Sequence, residues 1–339
     1  MRLIGGMSNM QVIYVEKALR HHPRVLRIIN RFQQPEIIYC DHYREVFNRK
    51  AQNFRLQKQN PALLLAEKPG HRVLSTPKGF GIGGIENYYF SHMLNCLYDC
   101  RYCFLQGMYP SAHYVVFVNY EDFMHDIRNQ IAQYPDKTVY FFSGYDADSL
   151  AYEPVTGFLA EFLPFFAEQS RAFFELRTKS ANVNALLKTK PLKNVVVAFS
   201  FTPSLISEQV EHKVPSVAKR IASLKLLADA GWSIGLRFDP LIYANHYQEL
   251  YAQLLEDIFI HLNVASIHSV SVGPLRFPVK MYDKLLALYP EDRLLAHPLQ
   301  RRNHIYTYRE DKEEAMKQFL LQHLQKYLPK TLLFECQAS

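Results

Sequence analysis

From Thr138 onward the chain alternates between two hydrophobic patterns. Short β-branched and aromatic runs give way to stretches whose apolar positions recur at helical spacing, and the exchange repeats. The runs TVYFFSG (138–144), AFFELRT (172–178), NVVVAFSFT (194–202), WSIGLRFDP (232–240) and ASIHSVSVG (265–273) predict strands. Helical stretches at 120–134, 154–168, 182–188, 216–230 and 247–261 lie around and between them, with Gly231 as a stop signal. Strand followed by helix, repeated, predicts a parallel sheet. A strand-like ENYYFSHML (86–94) ahead of these brings the total to about six units, too few for a closed eight-fold barrel. The expected fold is therefore α/β, an open, partial parallel β/α barrel over 86–275 with its active site at the C-terminal ends of the strands.

Two flanking regions have a different texture. Residues 1–85 predict an N-terminal extension packed on the barrel, with a strand-like QVIYVE, a basic helical stretch at 18–32 and a second strand-like EIIYC ending at Cys40. Residues 1–9 read as a ragged start, since Met7 or Met10 would serve equally well. The stretch 57–84 is rich in Lys, Pro and Gly and predicts a loop. Gly79, Gly81 and Gly84 inside it match a dinucleotide fingerprint in spacing, but that fingerprint follows a strand and opens a helix, so a loop needing glycine's backbone freedom is the better reading. Residues 276–339 predict a cap made of a helix at 279–289, a basic hairpin RRNHIYTYR, a charged helix at 310–327 and a last strand KTLLFECQ.

Composition narrows the class. Hydrophobic residues at 48% and charged ones at 21% suit a folded core, and 22 Tyr with 23 Phe against one Trp supply either core or stacking surfaces. A net charge of +7 favours a polyanionic partner without requiring one. No apolar run is long enough for a membrane span or a signal peptide, which predicts a soluble cytoplasmic protein, with a monomer as the default. His21, His22 and Arg24 form a further basic patch that reads as a solvated helix end.

The cysteines carry the chemistry. Five is an odd number, and three of them crowd into NCLYDCRYCFLQG as Cys96, Cys100 and Cys103, so reduced thiols are expected rather than a disulfide scaffold. Three thiolates at C-x3-C-x2-C spacing can hold three irons of a 4Fe-4S cubane and leave the fourth iron open. A zinc site completed by His92 is the competing reading.

With Tyr102 at its aromatic position, this motif resembles that of the radical S-adenosylmethionine superfamily, and it falls after the first predicted barrel strand as it does there. A closer likeness spans nearly the whole chain. The blocks CRYCFLQGMYPSAHYVVFVNYED, LRTKSANVNALL, VAFSFTPSLISEQVEH, LRFPVKMYDKLLALYP and KYLPKTLLFECQ resemble successive parts of the spore photoproduct lyase family. The resemblance implies a 4Fe-4S cluster on Cys96, Cys100 and Cys103, S-adenosylmethionine as cofactor, and a 5'-deoxyadenosyl radical acting on a thymine-dimer-type lesion in DNA. It implies Ser143 and Gly144 at the amino acid end of the cofactor, Lys179 at its carboxylate, Ser200 in the same pocket and Tyr102 as a cofactor neighbour. An electron donor such as flavodoxin or ferredoxin follows as a partner.

For these residues plainer readings stand alongside: a solvated strand-end charge for Lys179, an ordinary strand polar residue for Ser200, and an Asp-Pro turn rather than a ribose contact for Asp239. Two departures from the family stand out. Tyr145 occupies the place of the hydrogen-donating cysteine, and Phe104 that of a tyrosine in the radical relay. Tyr102 and Tyr145 are then the candidates near the radical, while Cys40 and Cys336 read as too remote to substitute. Arg301, Arg302, Tyr306 and Tyr308 in the basic hairpin suit phosphate contact and base stacking, or an ordinary solvent-facing strand pair. Two further functions remain open: a radical enzyme of the same scaffold with a different, non-nucleic substrate, and a nucleic-acid-binding protein whose cluster is structural or sensory.

Overall fold

Apolar runs without polar alternation suit strands covered on both faces, and here they form the middle of one eight-stranded sheet. The computed structural model describes residues 10–77 and 79–336, so the ragged start at 1–9 lies outside the described residues. Across the sheet the order is Leu333–Glu335, Ile267–Pro274, Ser233–Leu241, Val195–Ser200, Ala172–Thr178, Val139–Ser143, Glu86–Phe90 and Val73–Ser75. All neighbours are parallel except the final pair, where Val73–Ser75 runs antiparallel to Glu86–Phe90. Helices return the chain from one parallel strand to the next, and the two edge strands do not meet. The sheet is the open, partial β/α barrel that the periodicity predicts.

The aromatic excess goes mainly into the core. Phe174 stacks on Phe166 with centroids 4.2 Å apart and on Phe90 at 5.7 Å, binding two barrel strands to the helix Phe158–Ala167. That helix begins at Gly157, whose left-handed φ of 60° breaks the single helix expected over 154–168 into Glu153–Thr156 and Phe158–Ala167.

A second, five-stranded sheet contains two strands that were not expected. Leu63–Ala66 and Tyr114–Phe117 pair in parallel at its centre, flanked by Val12–Glu16, Glu36–Cys40 and Met93–Leu94. Both are buried at every residue, so neither shows alternation, and Leu63–Ala66 is hidden by the Lys/Pro/Gly-rich residues around it. This sheet draws strands from both sides of the expected boundary at 85/86. The basic patch near its edge is also corrected. Arg24 is buried, its guanidinium 4.2 Å from the Tyr120 ring centroid and paired with Glu121 at 2.8 Å.

In the cap, the expected hairpin Gln300–Arg302 with Ile305–Thr307 gains a third strand, Arg276–Pro278. The charged helix spans Glu310–Leu324. Among the described residues no helix is long and apolar enough to cross a membrane.

Candidate active site

The C-terminal ends of parallel strands are where such a sheet leaves backbone and side chains free to meet a ligand. Here they surround a cavity of about 390 Å³. Cys96, Cys100 and Cys103 reach it from the loop after Glu86–Phe90, and Ser143, Gly144 and Tyr145 from the end of Val139–Ser143. Lys179 follows Ala172–Thr178, Ser200 ends its strand and Asp239 lies near the end of Ser233–Leu241. Every expected cluster, cofactor and radical residue thus faces one space.

The cysteine loop is held from several sides. Asp99–Cys100 pairs with Glu211–His212, and the Arg101 amide donates to Val210 O at 2.8 Å. Asp99 is bound by Lys58 at 3.0 Å and Arg101 at 2.8 Å, while Asn95, in the left-handed region at φ 66°, donates to Ser111 O and His113 O. Burial pushes all three thiols up, Cys96 to about 12, so positive charge in the cavity is what would hold them as thiolates.

His92 does not join them. Its ring is buried against Phe158, centroids 3.8 Å apart, and the zinc tetrad is not assembled. Among the described residues no three His, Cys, Asp or Glu side chains converge closely enough to hold a single ion. Three thiols set round one cavity suit instead a cubane, whose irons spread their ligands more widely.

Beneath the loop lies a buried ionic network. The Tyr102 hydroxyl donates to Glu211, which also accepts from Ser207 Oγ at 2.6 Å and pairs with Arg220 at 2.7 Å. Burial would raise the Glu211 carboxyl, but Arg220 and Lys179 hold it low. Lys179 is mostly buried, with Nζ 5.4 Å from the Tyr102 centroid and 4.0 Å from Glu211, so it is not a solvated strand-end charge. Ser143 Oγ is engaged with Ser149 Oγ at 2.8 Å and with Glu175 O, so backbone rather than hydroxyl is what this turn offers the cavity. Gly144 makes that turn possible: at φ 85°, an added Cβ would sit 2.7 Å from Ser149 Oγ and 2.9 Å from Arg177 O.

Elsewhere in the cavity lining, Arg276 grips both oxygens of Asp239 at 2.8 and 3.1 Å. Tyr145 stacks on Tyr89 with centroids 4.2 Å apart and lies 5.5 Å from Phe104. Sequence reasoning did not foresee this ion pair, nor Cys336, which lines the same cavity from beyond the last strand. The hairpin residues behave differently. Arg301 is exposed, Arg302 is paired with Glu313, Tyr306 packs on Tyr282 at 4.5 Å, and Tyr308 is buried, its hydroxyl accepting from the Tyr243 amide.

A cysteine loop after the first parallel strand of an open β/α barrel, facing a cavity at the strands' C-terminal ends, defines the radical S-adenosylmethionine class. The chain belongs to the spore photoproduct lyase family, whose model matches residues 86–334. It is 21% identical over 331 residues to the spore photoproduct lyase of Bacillus subtilis, covering 94% of this chain and 96% of that one. To the Geobacillus enzyme of the same name it is 19% identical over 244 residues, covering 69% and 72%. The fold matches a spore photoproduct lyase mutant solved with bound AdoMet and dinucleoside spore photoproduct, with a TM-score of 0.82, 17% identity and coverage of 97% and 98%. A spore photoproduct lyase complexed with dinucleoside spore photoproduct superposes with a TM-score of 0.80 at 16% identity, covering 96% and 98%. Members of this family are radical S-adenosylmethionine enzymes that use a 4Fe-4S cluster.

Proposed function

We propose that this chain is a cytoplasmic radical S-adenosylmethionine lyase that acts on a thymine-dimer-type lesion in DNA, drawing its electron from a small carrier such as flavodoxin or ferredoxin. The observation that carries the reading is the convergence of the three cysteines with the ends of four further strands on one cavity. Cys96, Cys100 and Cys103 would hold the cluster. When bound, cluster and cofactor together supply a hydrogen-abstracting 5'-deoxyadenosyl fragment, and the radical chemistry is theirs.

The chain's own residues bind, orient and shield. Lys179, fixed between Tyr102 and Glu211, presents a cation to the cofactor's carboxylate. The Ser143–Gly144 backbone and Ser200 line the same pocket. Tyr102 is oriented by its bond to Glu211, and the aromatic wall of Phe80, Phe104 and Tyr145 keeps water from the reacting carbon. The hairpin of the cap, with Arg301 at its surface, meets the phosphate backbone.

A second reading, the same radical chemistry on a different substrate, is favoured by Tyr145 and Phe104, because both stand where the family carries its relay side chains. The test is an anaerobic assay of reconstituted protein with dithionite and S-adenosylmethionine, with and without DNA bearing spore photoproduct. Lesion-dependent release of thymine with 5'-deoxyadenosine is the expected result. 5'-Deoxyadenosine without repair would move the substrate elsewhere, and retained cleavage in a Cys96→Ala, Cys100→Ala or Cys103→Ala variant would overturn the cluster assignment.

A further inference from the structure

The cavity holds a fourth thiol. Besides the three cysteines of the motif, Cys336 is the one cysteine among the described residues that lines it, brought there by a strand more than 230 residues away in sequence. Its position is built rather than incidental. The Cys336 amide donates to Val272 O at 2.8 Å, extending the pairing of Leu333–Glu335 with Ile267–Pro274 to the barrel rim. Gly273 makes room for it, since a Cβ there would lie 3.0 Å from Cys336 Cβ and 2.8 Å from Asp239 Oδ1. The thiol faces the Asp239 carboxylate, and the Arg276 guanidinium that grips Asp239 is close enough to feel both Cys336 and Tyr145. Cys336 therefore lines the same cavity as Tyr145, which stands at the position of the family's thiol, and both lie within reach of the Arg276 charge.

A repair that begins with loss of a hydrogen atom from the lesion ends with a carbon radical that must regain one. Among side chains, a thiol is suited to that return because its S–H bond is weaker than the C–H bond formed. Only the protonated form has the atom to give, and burial, followed by the negative charge of Asp239, pushes the Cys336 thiol up to about 11. At 5% exposure the resulting sulfur radical is shielded from solvent.

We infer that Cys336 is the hydrogen-atom donor of this site, an inference that rests on the proposed lesion substrate. In the step, the Cys336 S–H bond breaks homolytically, a C–H bond forms on the product radical to complete the thymine methyl group, and a thiyl radical remains on sulfur. One electron from the low-potential reductant that serves the cluster, with one proton from solvent, restores the thiol.

The test uses the reconstituted holoenzyme in deuterated buffer with dinucleoside spore photoproduct, reading thymine restored per 5'-deoxyadenosine and the deuterium in the restored methyl group. The S–H proton exchanges with solvent, so the unmodified enzyme is expected to deliver solvent deuterium. In Cys336→Ala the ratio is expected to fall about tenfold or more, and in the Cys336→Ala/Tyr145→Cys double variant to recover. Cys336→Ser, a one-atom change, gives the same reading if the alanine variant folds poorly. A measurement without turnover accompanies it: calorimetric affinity for the dinucleoside should be unchanged in Cys336→Ala, which separates a donor role from a binding role. An unchanged ratio and label in Cys336→Ala, or a loss of dinucleoside affinity large enough to account for the fall, overturns the donor role alone. If the unmodified enzyme releases 5'-deoxyadenosine but restores no thymine, the substrate reading falls first and the donor role with it.

Discussion

Tyr102 shows how much a single side chain's role depends on its partners. The motif marks it as an aromatic next to a cluster cysteine, and the structure adds a hydroxyl donated to a fully buried carboxylate that also binds Arg220 and Ser207. Removing that hydroxyl leaves one oxygen of Glu211 with Thr202 Oγ1 at 3.3 Å and the more distant Lys179 Nζ at 4.0 Å. Tyr102→Phe is therefore expected to destabilise the protein by about 1–3 kcal/mol, read from urea unfolding at equilibrium. Gly144→Ala should cost a similar amount and also weaken cofactor binding, because its left-handed φ and the atoms 2.7 and 2.9 Å from the new Cβ both oppose the side chain. Unchanged S-adenosylmethionine affinity in a folded Gly144→Ala variant would remove that turn from the cofactor site. At this scale the sequence was informative where chemistry is local. Three cysteines within one loop announce themselves by spacing, whereas Cys336 and Arg276 reach the cavity only through the pairing of distant strands.

Among elements, the barrel strands are tied by charge as well as by hydrogen-bond ladders. Arg237 on Ser233–Leu241 reaches over the intervening strand Val195–Ser200 to bind Glu175 on Ala172–Thr178, at 2.7 Å. Small residues let it pass: a Cβ on Gly235 would meet Arg237 Nη2 at 2.7 Å and Ala198 Cβ at 2.8 Å. Arg177 completes the cluster at 2.9 Å from Glu175. Burial alone would raise the Glu175 carboxyl, but the charges of Arg237 and Arg177 outweigh it and lower it to about 2. A carboxyl depressed in the fold contributes its stabilisation fully above its unfolded value, and loses it as pH falls toward the folded one. Between pH 4.5 and 2, then, the unfolding free energy of the unmodified protein should fall more steeply than that of Glu175→Gln. Glu175→Ala, which leaves the buried Arg237 guanidinium without its carboxylate, should cost about 3–5 kcal/mol by denaturant titration. None of this ion cluster is visible in AFFELRT or WSIGLRFDP, which predict strands correctly but say nothing of which strands face each other across a third. The missed strands Leu63–Ala66 and Tyr114–Phe117 have the complementary cause. Four apolar residues in a row carry no period from which to tell strand from helix or loop.

Over the whole molecule, the net charge of +7 does not say which cations are free to meet a polyanion. Arg177, Arg220, Arg237 and Arg276 are committed to buried carboxylates, Arg24 is itself buried and paired with Glu121, and Arg302 of the basic hairpin is paired with Glu313. Of the hairpin residues that suggest a nucleic acid contact, Arg301 is the exposed cation. These placements turn a compositional argument into a test that separates the two arginines. If the cap meets the phosphate backbone, affinity for lesion-bearing duplex should fall linearly with salt on logarithmic axes, and Arg301→Ala should reduce the slope by about 1. Arg302→Ala should leave the slope nearly unchanged while loosening the hairpin from the helix Glu310–Leu324, because its charge is already neutralised by Glu313. Fluorescence anisotropy across a salt series measures both. A flat salt dependence in the unmodified protein would take DNA away as a partner while leaving the cavity's radical chemistry in place, since the cluster and cofactor residues lie on the barrel and not on this hairpin.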